Sequence, residues 1–569
     1  MPRLSKDSFN NINTLLSFLS ALIAVVELCL HVVWYFYIIT IGIIAVVWVV
    51  VVGIMLYRRP WYKQMRNPLI CRGKTHYSFR IFLNTIFKKP YYESEFLSPK
   101  FSSKMDTETT PAIDTSRLTV VIEDDPVGYA DNCGMLPCIP VDEEISPAEL
   151  LEKLNEIHEE IAHYNFLFIA TPSRRIESLR SLALNRDIGI ALRQYFRQRC
   201  PEKKIRIISK IDSCLRSNYE AEYEGLSDGL GRRDCLEILM PSYIEQGRVT
   251  IHGAQYIKSD GRYVLMHESE YASFKGLEYG NSDLALWMEK RVRHIESRKN
   301  VGLIDTDMLR TAAPSDVAER IIEAKAHGVQ AFVCDSSIPD DLTSAARIIH
   351  NLEERGLTLF LKLGPSMINR FAGAYAKPKE RNMLSHIRAT DNGIFIAGSL
   401  TSTTKKQIER YDEFADTSIV TIKESDLNNA GHMDHVIAHR SNNIIKKNSN
   451  GDDVILTTEY WKTDKNEYPD IQKRDTVLCL IAKICQTIRV SEKRWFLFKG
   501  SDTALYSIIH GLDIRHFYYC GQYIPGVIHC KCMLNGDLKS FFIVGGNVGT
   551  PSLLNKLRTA IQNEIGPKN

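Results

Sequence analysis

Charged and hydroxyl side chains crowd the ends of several apolar runs in this sequence. The run LTVVI leads into Glu123, Asp124 and Asp125, then Gly128 and Asp131. Carboxylates sharing a cleft push one pKa upward, so Asp124 or Asp125 can accept the proton of a substrate hydroxyl or contact a metal. The alternative is a solvated acidic turn. IRIIS leads into KIDSCLRSN, which packs Lys210, Asp212, Ser213, Arg216 and Asn218 into nine residues, followed by Glu222. FLFIA leads into Thr171, Ser173 and Arg174, and GRVTIHG adds Arg248. Donors at this density suit a carboxylated or phosphorylated ligand, with arginine forking onto the anion and lysine acting as a point charge. His267, farther on, reads as a satisfied surface or core histidine.

A different signal occupies the last third. AGSLTSTTKKQ places Gly398, Ser399 and Thr404 after an apolar run and at a helix start, where free N–H groups attract phosphate. KGSDTA holds Gly500, Ser501, Asp502 and Thr503, and VGGNVGT holds Gly546, where a missing side chain permits close backbone approach. None is a Walker A loop, and each alone is also what a tight turn looks like. Three in one region argue for a nucleotide site.

The elements that must carry these residues follow from periodicity. From Leu118 onward, short β-branched or aliphatic runs alternate with helical stretches, the pattern of βαβ units on a parallel sheet. In such sheets ligands bind beyond the carboxyl ends of the strands, where the polar clusters fall. The expected fold is α/β and two-lobed, with mostly parallel sheets flanked by helices. One lobe spans 118–375 and another 390–565, separated by a polar, basic stretch.

The N-terminal region is of another kind. Leu15 to Tyr57 is almost uninterruptedly apolar, broken chiefly by Glu27 and His31, and as helix it is roughly twice the bilayer core thickness. The expectation for residues 1–57 is a transmembrane hairpin; the rival is one span near 33–57 preceded by a partly embedded helix. A cleaved signal peptide fits poorly, because its apolar region is far shorter. Between Arg58 and Tyr92 stand nine Lys or Arg and no acid. By the positive-inside rule this basic flank places the later lobes in the cytoplasm, on the face of a membrane. Residues 58–117 read as a basic juxtamembrane segment and linker, in which YSFRIFLNTIF either lies on the anionic leaflet or packs as a short helix.

Bulk composition excludes little else. With 569 residues, 44% hydrophobic and 24% charged, the chain has room for two or three ordinary domains. A formal charge of +3 is too small to argue for nucleic acid, and none is expected as a partner. Thirteen cysteines without a CxxC pair make neither a zinc-ligand nor a disulfide framework, which suits a reducing compartment.

Taken in order, the motifs resemble those of the four-carbon acid sugar kinases, over about residues 118 to 560. KIDSCLRSN with Glu222 looks like the family's K-I-D-S-x-L-R-G-N-x-x-x-E, and Glu123 to Asp131 is similar to its A-D-D-x-T-G-A-x-D. TPSR, PSYIEQGRVTIHG, AGSLTSTTKKQ, KGSDTA and VGGNVG match its remaining segments in sequence. The resemblance implies an N-terminal lobe for the sugar acid, a C-terminal lobe for ATP, and magnesium-assisted phosphorylation of a terminal hydroxyl on threonate, erythronate or a 3-oxo-tetronate. It assigns Asp124, Asp125, Lys210 and Asp212 to catalysis, and Arg174, Ser213, Arg216, Asn218 and Arg248 to the acid. Ser399, Gly500, Ser501, Asp502, Thr503 and Gly546 fall to the nucleotide, and no metal ligand is singled out. A homodimer is one possible assembly. Val127, Ser217, Ser501 and Val544 depart from the motifs where the family has Thr, Gly, Gly and Lys. They keep open a rival reading, a membrane-bound nucleotide- or sugar-acid-binding sensor that has lost turnover.

Overall fold

The computed structural model describes residues 14, 17–26, 113–125, 134–232, 234–259, 261–273, 281–375, 383–388, 391–411, 416–427, 433–459, 471–488 and 495–565. The chain divides into two compact units, Met1–His76 and Tyr77–Asn569. In the first, residues 17–26 are helical and expose Phe18, Leu19, Leu22, Ile23, Val25 and Val26. Among the described residues, no helix is long and apolar enough to cross a membrane. Most of the hairpin expected over 15–57, and the basic segment up to residue 112, lies outside the described residues.

In the second unit the strands are β1 (Leu118–Glu123), β2 (Leu136–Pro140), β3 (Phe166–Ala170), β4 (Ile205–Lys210), β5 (Leu236–Met240), β6 (Arg248–Ile251), β7 (Ala254–Ser259), β8 (Arg262–Leu265) and β9 (Val301–Ile304). They continue with β10 (Ala331–Cys334), β11 (Leu359–Leu363), β12 (Ile394–Ala397), β13 (Thr417–Ile422), β14 (Asp453–Thr458), β15 (Trp495–Lys499), β16 (Phe517–Ile524), β17 (Val527–Leu534) and β18 (Asp537–Val544). The first lobe orders its parallel strands β2-β3-β1-β4-β11-β5-β10-β9, and the second orders β13-β14-β12-β15-β18. β1, β3 and β11 are buried along their whole length, as expected of parallel strands covered by helices on both faces. A separate antiparallel sheet, β6-β7-β8, carries Arg248 at its first residue.

The lobes do not have separate main sheets, as the sequence pattern suggests. β17 and β16 extend the second lobe antiparallel from β18, and β16 then pairs antiparallel with β2, giving one sheet of 15 strands. Main-chain hydrogen bonds at Phe517↔Cys138 through Tyr519↔Leu136 make the seam. Tyr519 reinforces it by packing edge-on to Phe168, with ring centroids 5.0 Å apart.

Two helices on the first lobe fix the loop that follows β4. Ser178–Arg199 and Tyr219–Leu230 meet backbone to backbone, because Gly189, Gly225 and Gly229 occupy the contact. A Cβ on Gly229 would lie 2.2 Å from the Arg186 carbonyl oxygen, so only glycine permits this approach.

Candidate active site

The parallel order β3-β1-β4 brings three polar strand ends together, since Glu123 stands beside Ala170 and Ile122 beside Ser209. Lys210 therefore reaches across to β1. Its ammonium donates to Asp124 Oδ1 at 2.8 Å and to the Asp125 carbonyl at 3.2 Å, with both side chains buried. Burial alone would lower the Lys210 pKa, but Asp124, Asp125 and Glu123 hold it above the usual lysine value. Burial raises the Asp124 pKa against the pull of Lys210 and Arg174. Asp124 Oδ2 is buried and has no hydrogen-bond partner among the described residues.

Asp212 gathers the arginines. Arg216 Nε donates to its Oδ2 at 2.6 Å, and Arg174 Nη1 lies 3.7 Å from its Oδ1 while also pairing with Asp125. Burial would raise the Asp212 pKa, but Arg216 and Arg174, with Arg248 behind them, hold it well below the ordinary carboxylate range. Asp212 is thus a fixed anion that orients guanidinium groups, and Asp124 is the better proton acceptor of the two. Arg248 donates to Ser213 Oγ at 3.1 Å and lies over the Tyr271 ring, while its Nε is buried without an acceptor among the described residues. Leu215, inside the loop, takes φ 64°, a left-handed conformation rare for an aliphatic side chain.

Asn218 is turned to the protein itself. Its amide donates to the carbonyls of Ser173 at 2.6 Å and Ile176 at 2.9 Å, tying the loop after β3 to the loop after β4. His267 bonds Ser282 outside this cluster. Pro126 to Cys133, which includes Val127 and Asp131, lies outside the described residues.

Three partners were not evident from sequence. Lys362, in the middle of β11 and fully buried, pairs with Glu222 and donates to Ser209 Oγ at 2.9 Å and the Lys210 carbonyl at 3.0 Å. Ser173 Oγ and Ser217 Oγ donate to the same Glu222 carboxylate. A lysine within the apolar run LFLKL was the available signal, because a charge in a buried strand demands a partner. Tyr519 crosses the seam to donate to Glu123 Oε2 at 2.8 Å, and burial raises the Glu123 pKa to about 8. Arg175 reaches Asp475 of the second lobe at 3.5 Å.

The second lobe brings its three glycine-bearing turns together at the ends of β12, β15 and β18. Thr401 Oγ1 and Thr404 Oγ1 donate to the Gly546 carbonyl at 2.6 and 3.1 Å, and Thr404 also reaches Ser399 Oγ at 3.1 Å. A Cβ on Gly546 would lie 2.6 Å from Ser399 Oγ, and one on Gly398 would lie 2.4 Å from Thr503 Oγ1. Gly500 takes φ 110°, which excludes other residues at the start of the short helix Ser501–Tyr506. Asp502 in that helix lies within electrostatic range of Arg174, Arg175 and Asp125 of the first lobe, and it lines one cavity with Pro172 and Arg175. Burial raises its pKa. Asp502 borders a cavity of about 190 Å³ shared with Asp142, Glu143, Glu144, Arg175 and His510.

These two halves define a two-domain α/β protein, one lobe ending its strands in paired charges and the other in glycine-bearing turns. Family models agree: residues 119–370 match a sugar-binding N-terminal domain and residues 394–554 a nucleotide-binding C-terminal domain. The chain belongs to the four-carbon acid sugar kinase family. Among solved structures, it is similar to a Salmonella typhimurium LT2 protein carried under a provisional tRNA synthase name. That match has 14% identity and a TM-score of 0.57, covering 79% of this chain and 100% of that one. It is also similar to a Haemophilus influenzae protein of the DUF1537 family, with 16% identity and a TM-score of 0.52, covering 77% of this chain and 99% of that one. At these identities the likeness is one of fold. No curated protein matches the sequence. The chain is therefore a kinase-like, nucleotide-binding protein of the sugar acid type.

Proposed function

We propose that this protein transfers the γ-phosphoryl group of ATP to the terminal hydroxyl of a four-carbon sugar acid such as threonate, erythronate or a 3-oxo-tetronate. The observation that carries the reading is Asp124 Oδ2, a buried carboxylate oxygen just past the end of β1 with no hydrogen-bond partner among the described residues. Its raised pKa suits it to take the hydroxyl proton as the oxygen–phosphorus bond forms and the bond to the departing ADP breaks. Lys210 keeps Asp124 in place through Oδ1. Lys210, Arg174, Arg216 and Arg248 outnumber Asp124, Asp125 and Asp212 by one positive charge, which favours an anionic acceptor. The Arg248 Nε hydrogen, lacking an acceptor, offers that acid a hydrogen bond.

Ser399, Gly500, Ser501, Thr503 and Gly546 offer hydroxyls and close backbone to the nucleotide phosphates. Magnesium, which the family implies, takes hard oxygen donors. Asp502 fits it, being a carboxylate made more basic by burial on a cavity that also carries Asp142, Glu143 and Glu144. Bound there, the ion would neutralise phosphate charge during transfer. Residues 15–57 would hold the enzyme on a membrane with both lobes on the cytoplasmic side, supported by their apolar run, the exposed Phe18, Leu22 and Ile23, and the basic flank.

A second reading, a sensor that binds without turnover, draws on Ser217, Ser501 and Val544, which replace motif residues. Release of ADP by the full-length chain, measured against a panel of four-carbon acid stereoisomers, separates the two. Acid-dependent ADP release supports the kinase. Thermal stabilisation by an acid and ATP with no release across the panel supports the sensor.

A further inference from the structure

Lys499 ends β15 with its side chain wholly buried. Burial lowers its pKa to about 7, and no carboxylate acts on it among the described residues. A buried ammonium facing only neutral groups is costly, so its position needs a reason. Its Nζ donates to the Gly545 carbonyl at 2.6 Å and the Val548 carbonyl at 3.2 Å, both in the turn after β18. Thr401 and Thr404 hold the Gly546 carbonyl, and Gln407 Nε2 holds those of Val548 and Thr550 at 3.0 Å. In a trans peptide the C=O and the next N–H point in opposite directions, and no peptide bond here is cis. Drawing these carbonyls inward turns the N–H groups of Gly546, Asn547 and Gly549 the other way. Successive N–H groups so arranged form an anion-binding concavity.

We propose that Lys499 is a positioning residue for the nucleotide phosphates, its ammonium fixing the 545–549 turn with the backbone N–H groups aimed at a phosphoryl anion and lending that cradle positive charge. This rests on the reading of the second lobe as the nucleotide site. Val544 is the register partner of Lys499 on the adjacent parallel strand. A side chain from position 544 therefore leaves the same face of the sheet one strand away.

Calorimetric titration of the full-length protein with ADP and with adenosine, at pH 6.5 and 8.5, tests this. Lys499→Met is expected to weaken ADP by roughly tenfold or more at pH 6.5, the scale of a lost charged hydrogen bond. The difference from wild type should narrow at pH 8.5, where the wild-type lysine is neutral, and adenosine should bind unchanged. Lys499→Met/Val544→Lys should regain ADP binding. Lys499→Arg, which stays charged at both pH values, guards against a Met variant that fails to fold. Its ADP affinity should not fall between pH 6.5 and 8.5 as wild type does. ADP binding like wild type in Lys499→Met, an equal loss of adenosine at both pH values, or a wild-type pH profile in Lys499→Arg each overturns the proposal. Wild type that binds neither ADP nor ATP removes the nucleotide reading itself, and this proposal with it.

Discussion

In the first lobe the ends of β1, β3 and β4 hold carboxylates against lysine and arginine, so nearly every charge there is matched by another on a neighbouring strand. In the second, the ends of β12, β15 and β18 carry hydroxyls, glycines and one buried lysine whose partners are backbone carbonyls. The contrast teaches that the two anions proposed for these sites would be held by different physics. The first site is built from ionised side chains whose mutual pairing fixes both geometry and protonation state. The second is built from peptide dipoles whose direction is set by what grips the carbonyls.

The contrast predicts large effects in the first lobe and graded ones in the second. Asp124→Asn should reduce turnover about a thousandfold or more while leaving ADP binding intact, because it removes the proton acceptor alone. Turnover within tenfold of wild type would move the base elsewhere. Next in size, Lys362→Met or Glu222→Gln alone should destabilise the fold by about 3–5 kcal/mol in chemical unfolding, since each leaves a buried charge without its partner. The double variant should recover much of that loss. In the second lobe, Gly546→Ala should weaken ADP by about tenfold, equivalent to ~1.4 kcal/mol, as the new Cβ meets Ser399 Oγ. An unaltered affinity would mean that the turn and Ser399 separate freely.

A last effect, of pH on stability, concerns the seam. Glu123 has a folded pKa raised to about 8 from an ordinary 4.5, so the folded state holds a proton that the unfolded state has lost between those values. Its contribution to stability is full below about pH 4.5 and is lost as pH rises toward 8. Glu123→Gln should flatten the melting temperature across pH 5 to 8 relative to wild type. An unchanged slope would mean that Glu123 is ionised beside Tyr519.

Much of the first site was legible in sequence because its loop is continuous. Lys210, Asp212 and Arg216 lie in one nine-residue segment, and strand alternation alone places Asp124 nearby. What stayed hidden depends on contacts far apart in the chain. Lys362 and Glu222 are 140 residues apart, and Glu123 and Tyr519 are 396 apart. The single sheet was hidden for the same reason, since β16 and β2 form its seam and nothing local in either strand specifies the partner. Asn218 was readable as a ligand donor, whereas its amide binds two carbonyls of the neighbouring loop. Composition gives a residue's capacity to bond, but tertiary packing decides where that capacity is directed.

The most direct test of the central claim is transfer of label from γ-³²P-ATP to a four-carbon acid, measured in parallel for the wild-type chain and Asp124→Asn. Wild type should yield a labelled phosphate ester and the variant essentially none, although both bind ADP. Equal labelling by the two proteins, or no labelling of any acid by wild type, would contradict it.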